Sequence, residues 1–150
     1  MSAETGVEIF VNGTGPWPLP KDLLVRGVTA ALEEEDVMEG ELSLTFIEDD
    51  AIRALNLQYF GRDNPTDVIA FHLNDPGEPI LGDVYVGYEQ ARRQAADASV
   101  PLAEELTRLA IHGALHVLGY LHPEGEERLQ SEMFRRQEEI LARVLGEASG

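Results

Sequence analysis

Apolar residues in this sequence recur at two periods, and the alternation between them leaves few folds open. In ELSLTFI (Glu41–Ile47), Leu42, Leu44 and Phe46 fall on every second position, the pattern of a strand with one buried face. VEIFV (Val7–Val11) alternates in the same way before NGTGPWPLP, a turn-rich run that continues neither strand nor helix. VIAFH (Val68–His72) and LGDVYV (Leu81–Val86) read as two further strands, joined across the turn formers NDPGEP.

Between and after these stretches the period is helical. From Lys21 to about Glu35, the residues Leu23, Leu24, Val28, Ala31 and Leu32 share one face. Asp49 and Asp50 suit the cap and first turn of a second helix, where carboxylates meet the positive end of the helix dipole. That helix carries Ile52, Leu55 and Tyr59 and is broken by GRDNPTD. Three more helices follow: Tyr88–Asp97, a segment from near Ser99 and Pro101 to about Gly119, and roughly Glu124–Leu145 with Leu129, Met133, Ile140, Leu141 and Val144 as its apolar positions. The order βαβαββααα predicts an α+β fold, a small mixed four-stranded sheet packed with about five helices. With no repeat, low-complexity run or long linker, residues 1–150 are expected to form one domain, long enough to bury a core without a staple.

HGALHVLGYLH (His112–His122) gathers three of the four histidines of the chain. Residues four apart on an α-helix lie about 40° apart on neighbouring turns, so His112 and His116 can share one ion. Gly113 leaves room beside it. Gly119 suits the left-handed conformation that ends a helix, after which His122 can return to the same face. Three imidazoles with an open fourth position describe a catalytic zinc site, and the absence of cysteine removes thiolate ligands from consideration. The fourth histidine, His72, closes a strand and is expected to pack or to contact substrate.

Charge argues in a different direction. The net charge is −17, whereas a protein that grips nucleic acid usually offers phosphates a basic surface. Residues 1–50 hold twelve acidic and two basic side chains, against seven and four in 51–100 and nine and five in 101–150. A solvated acidic surface accounts for the first third and biases the chain toward a monomer. Arg53, Arg62, Arg92, Arg93, Arg135 and Arg136 are the material for a local basic patch. No run is long and apolar enough to span a membrane, and no secretory signal opens the chain, so a cytoplasmic address without membrane contact is expected.

HGALHVLGYLHP, together with LNLQYFGRDNPTDVIAF (Leu55–Phe71) and LGDVYV, resembles the YbeY family of bacterial endoribonucleases, from the second strand to the last helix. The resemblance implies a mixed α/β sandwich and a zinc-dependent, single-strand-specific endoribonuclease of the cytoplasm. It implies action in 3′-end maturation of small-subunit ribosomal RNA and in ribosome quality control, with single-stranded rRNA and the small ribosomal subunit or its proteins as partners. One Zn2+ per chain would be held by His112, His116 and His122. Two positions depart from the family's habit: Phe60 stands where an arginine is usual, and Leu121 where an aspartate precedes the third histidine. Arg62 is the candidate replacement, a forked donor to phosphate, though a solvated loop arginine is an equal reading. Asn64, Thr66 and Asp67 are candidates for contacts or for an Asx-type turn about Pro65.

Two rival functions follow from the same residues. Zincin proteases also place two histidines four apart on a helix, but they use a glutamate after the first as general base, and Gly113 cannot exchange a proton. A ribosome-assembly factor with a purely structural zinc site is the non-enzymatic alternative, and an acidic surface suits docking on basic ribosomal proteins.

Overall fold

In a computed structural model, the strand predicted over Glu41–Ile47 forms the centre of the sheet. The structure describes residues 4–119 and 126–149, with side chains in the second segment from Glu132 to Glu147. The elements are β1 (Glu8–Gly13), α1 (Lys21–Glu34), β2 (Gly40–Ile47), α2 (Asp49–Phe60), β3 (Val68–His72), β4 (Ile80–Gly87), α3 (Tyr88–Ala98), α4 (Leu102–Gly119) and α5 (Glu126–Ser149). This is the predicted α+β order, and the sheet is mixed. Its strands lie in the order β1-β2-β4-β3, with β1, β2 and β4 parallel and β3 antiparallel to β4.

The alternation read from the sequence decides what each sheet face buries. Val7, Leu42, Leu44, Phe46, Val84 and Val86 point into the main core with α1 and α4. Ile47 and Ile69 point the other way, where Ile52 of α2 covers them with Leu55, Phe71 and Tyr85. β1 is longer than VEIFV: Asn12 and Gly13, turn formers by composition, pair with Thr45 and Phe46 because the long β2 offers them a partner. Tyr59 departs from its expected place on the buried face of α2; it is exposed, and the polar Asn56 is buried with Ile52 instead.

α4 is the central helix, with buried side chains on most of its circumference. Ala110, Ala114 and Val117 face the sheet, while Ile111 and Leu115 pack with Ala30, Ala31, Met133, Ile140 and Leu141 from α1 and α5. The helix sits unusually close to β4 because two glycines remove the side chains that would separate them. A Cβ on Gly113 would lie 2.4 Å from Cγ1 of Val84, and one on Gly82 would lie 2.7 Å from Cγ1 of Val117. Gly113 therefore makes room for the sheet, not only for a ligand as its position in the histidine motif implied.

Candidate active site

His112 and His116 emerge on the side of α4 next to β3 and the loop after α2. Their rings meet edge to face with centroids 4.6 Å apart, as the four-residue spacing requires. They line a cavity of about 380 Å³ together with Asn56, Phe60, Arg62, Thr66, Asp67 and the strand residues Val68–Ala70. That volume lies within the range of about 300–1,000 Å³ typical of ligand pockets.

The loop that forms the opposite wall is tied down at both ends. Gly61 takes the left-handed conformation (φ 69°) that terminates α2, and its N–H donates to the Leu57 carbonyl at 3.1 Å. Buried Asn56 donates Nδ2 to the Asn64 carbonyl at 2.9 Å, and Arg53 Nε donates to Asp63 Oδ1 at 2.7 Å. At the far end the Gly87 N–H donates to the Asp67 carbonyl at 2.8 Å, and Gln94 Nε2 to Asp67 Oδ2 at 3.2 Å. Asn64 and Asp67 thus anchor the loop to α2, β4 and α3. Arg62, just past Gly61, is exposed on the cavity rim and forms no ion pair among the described residues.

The other arginines proposed for a basic patch do not gather there. Arg53 pairs with Asp63, Arg93 with Asp49 and Arg136 with Glu35, while Arg92 lies over the Tyr88 ring at 5.3 Å. Among the described residues, Arg62 is the arginine that lines the cavity.

Hydrogen bonding fixes the proton on His112. Glu138 Oε2 accepts from Arg108 Nε at 3.0 Å and from Gln137 Nε2 at 2.9 Å. A carboxylate only accepts, so the amide nitrogen of Gln137 must face Glu138 and its oxygen must face His112. Gln137 Oε1 lies 2.6 Å from His112 Nδ1, which must therefore donate, leaving Nε2 with the free lone pair. Gln137 is 4% exposed, so this arrangement is shielded from water. Burial, with the neighbouring His112 next, lowers the proton affinity of His116, and the Asp67 carboxylate opposes them. The neutral form that burial favours at His116 is the form a metal requires.

The residues in view fit a zinc ion in part. Two imidazoles side by side, one oriented by an amide oxygen, are the donor set and outer support that zinc favours. No cluster of three or more His, Asp or Glu side chains placed for a metal occurs among the described residues. The third expected ligand, His122, lies outside the described residues, as does Leu121. Gln137, an acceptor toward His112, was not anticipated: it lies on another helix, and its only sequence signal is a polar residue on the apolar stripe of α5 between Met133 and Ile140.

With the site in view, comparison with known proteins is decisive. The family model described as Endoribonuclease YbeY matches residues 20–145. The chain belongs to the YbeY family. It is 40% identical over 134 residues to the Endoribonuclease YbeY of Geobacillus kaustophilus (strain HTA426), covering 81% of this chain and 85% of that one. Against the Endoribonuclease YbeY of Bacillus subtilis (strain 168) the identity is 40% over 123 residues, covering 74% and 77%. The solution structure of TM1509 from Thermotoga maritima superimposes with a TM-score of 0.66 at 28% identity, covering 94% of this chain and 91% of that one. The span of this chain that matches the YbeY family, residues 20–145, includes the loop, the strand pair and both histidines of the cavity.

Proposed function

We propose that this YbeY-family protein is a zinc-dependent, single-strand-specific endoribonuclease acting in the cytoplasm on small-subunit ribosomal RNA, in 3′-end maturation and ribosome quality control. The observation that carries the reading is the pair of imidazoles, His112 and His116, in a cavity that also presents Arg62. When bound, zinc would supply Lewis-acid polarisation of a phosphoryl oxygen and a nucleophile available near neutral pH. His112, His116 and His122 are the residues that would hold it. Within the chain, Gln137 keeps the His112 proton on Nδ1 and the loop ties keep the opposite wall in place. Arg62 offers a bidentate cation to a phosphodiester.

A protease reading is weakened further by packing: Val84 and Val68 occupy the space a side chain at position 113 would need, so a catalytic glutamate has no room there. The net charge of −17 favours the assembly-factor reading, in which the zinc site is structural and basic ribosomal proteins are the partners.

Cleavage of a single-stranded fragment of small-subunit ribosomal RNA by the zinc-loaded protein separates the two. Activity is expected from the loaded protein, with loss after EDTA treatment and in His116→Ala, which is expected to have lost its zinc in elemental analysis. An inactive loaded protein that still joins small-subunit particles would establish the assembly factor instead. A His116→Ala protein that keeps stoichiometric zinc would exclude the proposed ligand set.

A further inference from the structure

We propose that Phe60 is a stacking subsite for a nucleobase of the RNA strand, adjoining the phosphate site at Arg62. The inference rests on the endoribonuclease reading and names how that site holds its substrate. Phe60 is the last residue of α2 and 52% exposed, yet it lines the same cavity as His112 and His116. It stands outside the core cluster of Ile47, Ile52 and Ile69 and meets it through Phe71.

The ring is braced from behind. Phe71 lies nearly parallel to it, at 17° with centroids 6.4 Å apart. Phe71 is itself held edge-on by Tyr59 at 4.9 Å and Tyr85 at 6.0 Å. A half-exposed aromatic ring with an aromatic neighbour holding its place has little ordering left to do when a base arrives.

Charge makes such a contact necessary. At −17, and with Arg53 and Arg93 already paired to carboxylates, Arg62 is the arginine that lines the cavity among the described residues. Stacking on an aromatic side chain does not depend on charge, and each stacked base strengthens single-strand binding by about tenfold or more. Arg62 follows Phe60 by two residues across the Gly61 turn, so a ring and a guanidinium stand together on one rim. That pairing matches the alternating base and phosphate of a single strand. Stacking without hydrogen bonds to base edges tolerates any base, so the subsite would add affinity and register with little sequence preference.

The test is titration of a short single-stranded RNA carrying 2-aminopurine with the full-length protein at low salt, following fluorescence quenching and affinity, with strand integrity checked on a gel. Wild type is expected to quench the probe. Phe60→Ala is expected to bind about tenfold or more weakly and to lose quenching. Phe60→Tyr, which keeps the ring, is expected to restore both, and Phe60→Leu, which keeps only apolar bulk, to restore neither. Wild-type affinity and quenching in Phe60→Ala, or full rescue by leucine, would overturn the stacking subsite and leave the nuclease reading intact. Absence of RNA binding and cleavage by wild type would overturn both together.

Discussion

His112 receives its orientation from a residue 25 positions away in sequence, through the contact between its Nδ1 and Gln137 Oε1. Removing an outer acceptor of a metal-binding imidazole typically lowers metal affinity by about 10- to 100-fold. Gln137→Leu, which fills the same buried space without the oxygen, is expected to fall in that range in a chelator-competition titration with zinc. An unchanged affinity in the leucine variant would mean that the contact is a packing accident. His116 leads to a pH prediction for the metal-free protein. Its proton affinity is lowered by burial and by His112, so the unfolded chain takes up the proton first as the solution acidifies. The stability held by neutral His116 is complete above the ordinary imidazole value of about 6.5 and is lost as pH falls below it toward the lowered native value. Denaturant midpoints measured on either side of that value should decline on acidification, and decline less in His116→Gln. The histidine pair was legible from its spacing because a helix turn converts sequence distance into proximity. Gln137 was not, because its partner lies on another helix and only tertiary packing brings the two together.

At the level of the elements, the site depends on how closely α4 approaches β4. Gly113→Ala would force a methyl group to within 2.4 Å of Val84 Cγ1, a contact that the packed sheet can relieve only by shifting the helix. Overpacking of this kind costs about 1–3 kcal/mol, more than the small gain in helix propensity from replacing glycine. A fall of that size is expected in chemical denaturation, with zinc affinity reduced as well, since His112 and His116 move with the helix. A variant as stable as wild type would show that the helix has slack against the sheet. The strands and helices themselves could be read from apolar period, since burial of one face enforces it. The strand order β1-β2-β4-β3 could not, because parallel pairing joins segments that local sequence does not relate. Composition also misplaced the end of β1: Asn12 and Gly13 are turn formers that β2 nevertheless recruits into the sheet.

For the molecule as a whole, the question is how a chain of net charge −17 engages a polyanion. The arginine count suggested a local basic patch, yet ion pairs with Asp63, Asp49 and Glu35 already occupy Arg53, Arg93 and Arg136, a fact that depends on the fold and not on the count. Single-strand binding releases counterions in proportion to the phosphates contacted, with a slope of log K against log salt of about −0.7 per contact. Arg62 as the cavity's arginine implies a shallow slope, about −0.7 to −1.4, far from that of a protein with a basic groove. Arg62→Ala should flatten it by about 0.7 and weaken all single strands alike, whereas Phe60→Ala should weaken binding with the slope unchanged. A steep wild-type slope would mean that the exposed pairs, which individually contribute little, open on binding and release their arginines to the RNA. The shallow slope follows if aromatic and metal contacts dominate, and it would let the protein keep its acidic surface while still binding a strand at physiological salt.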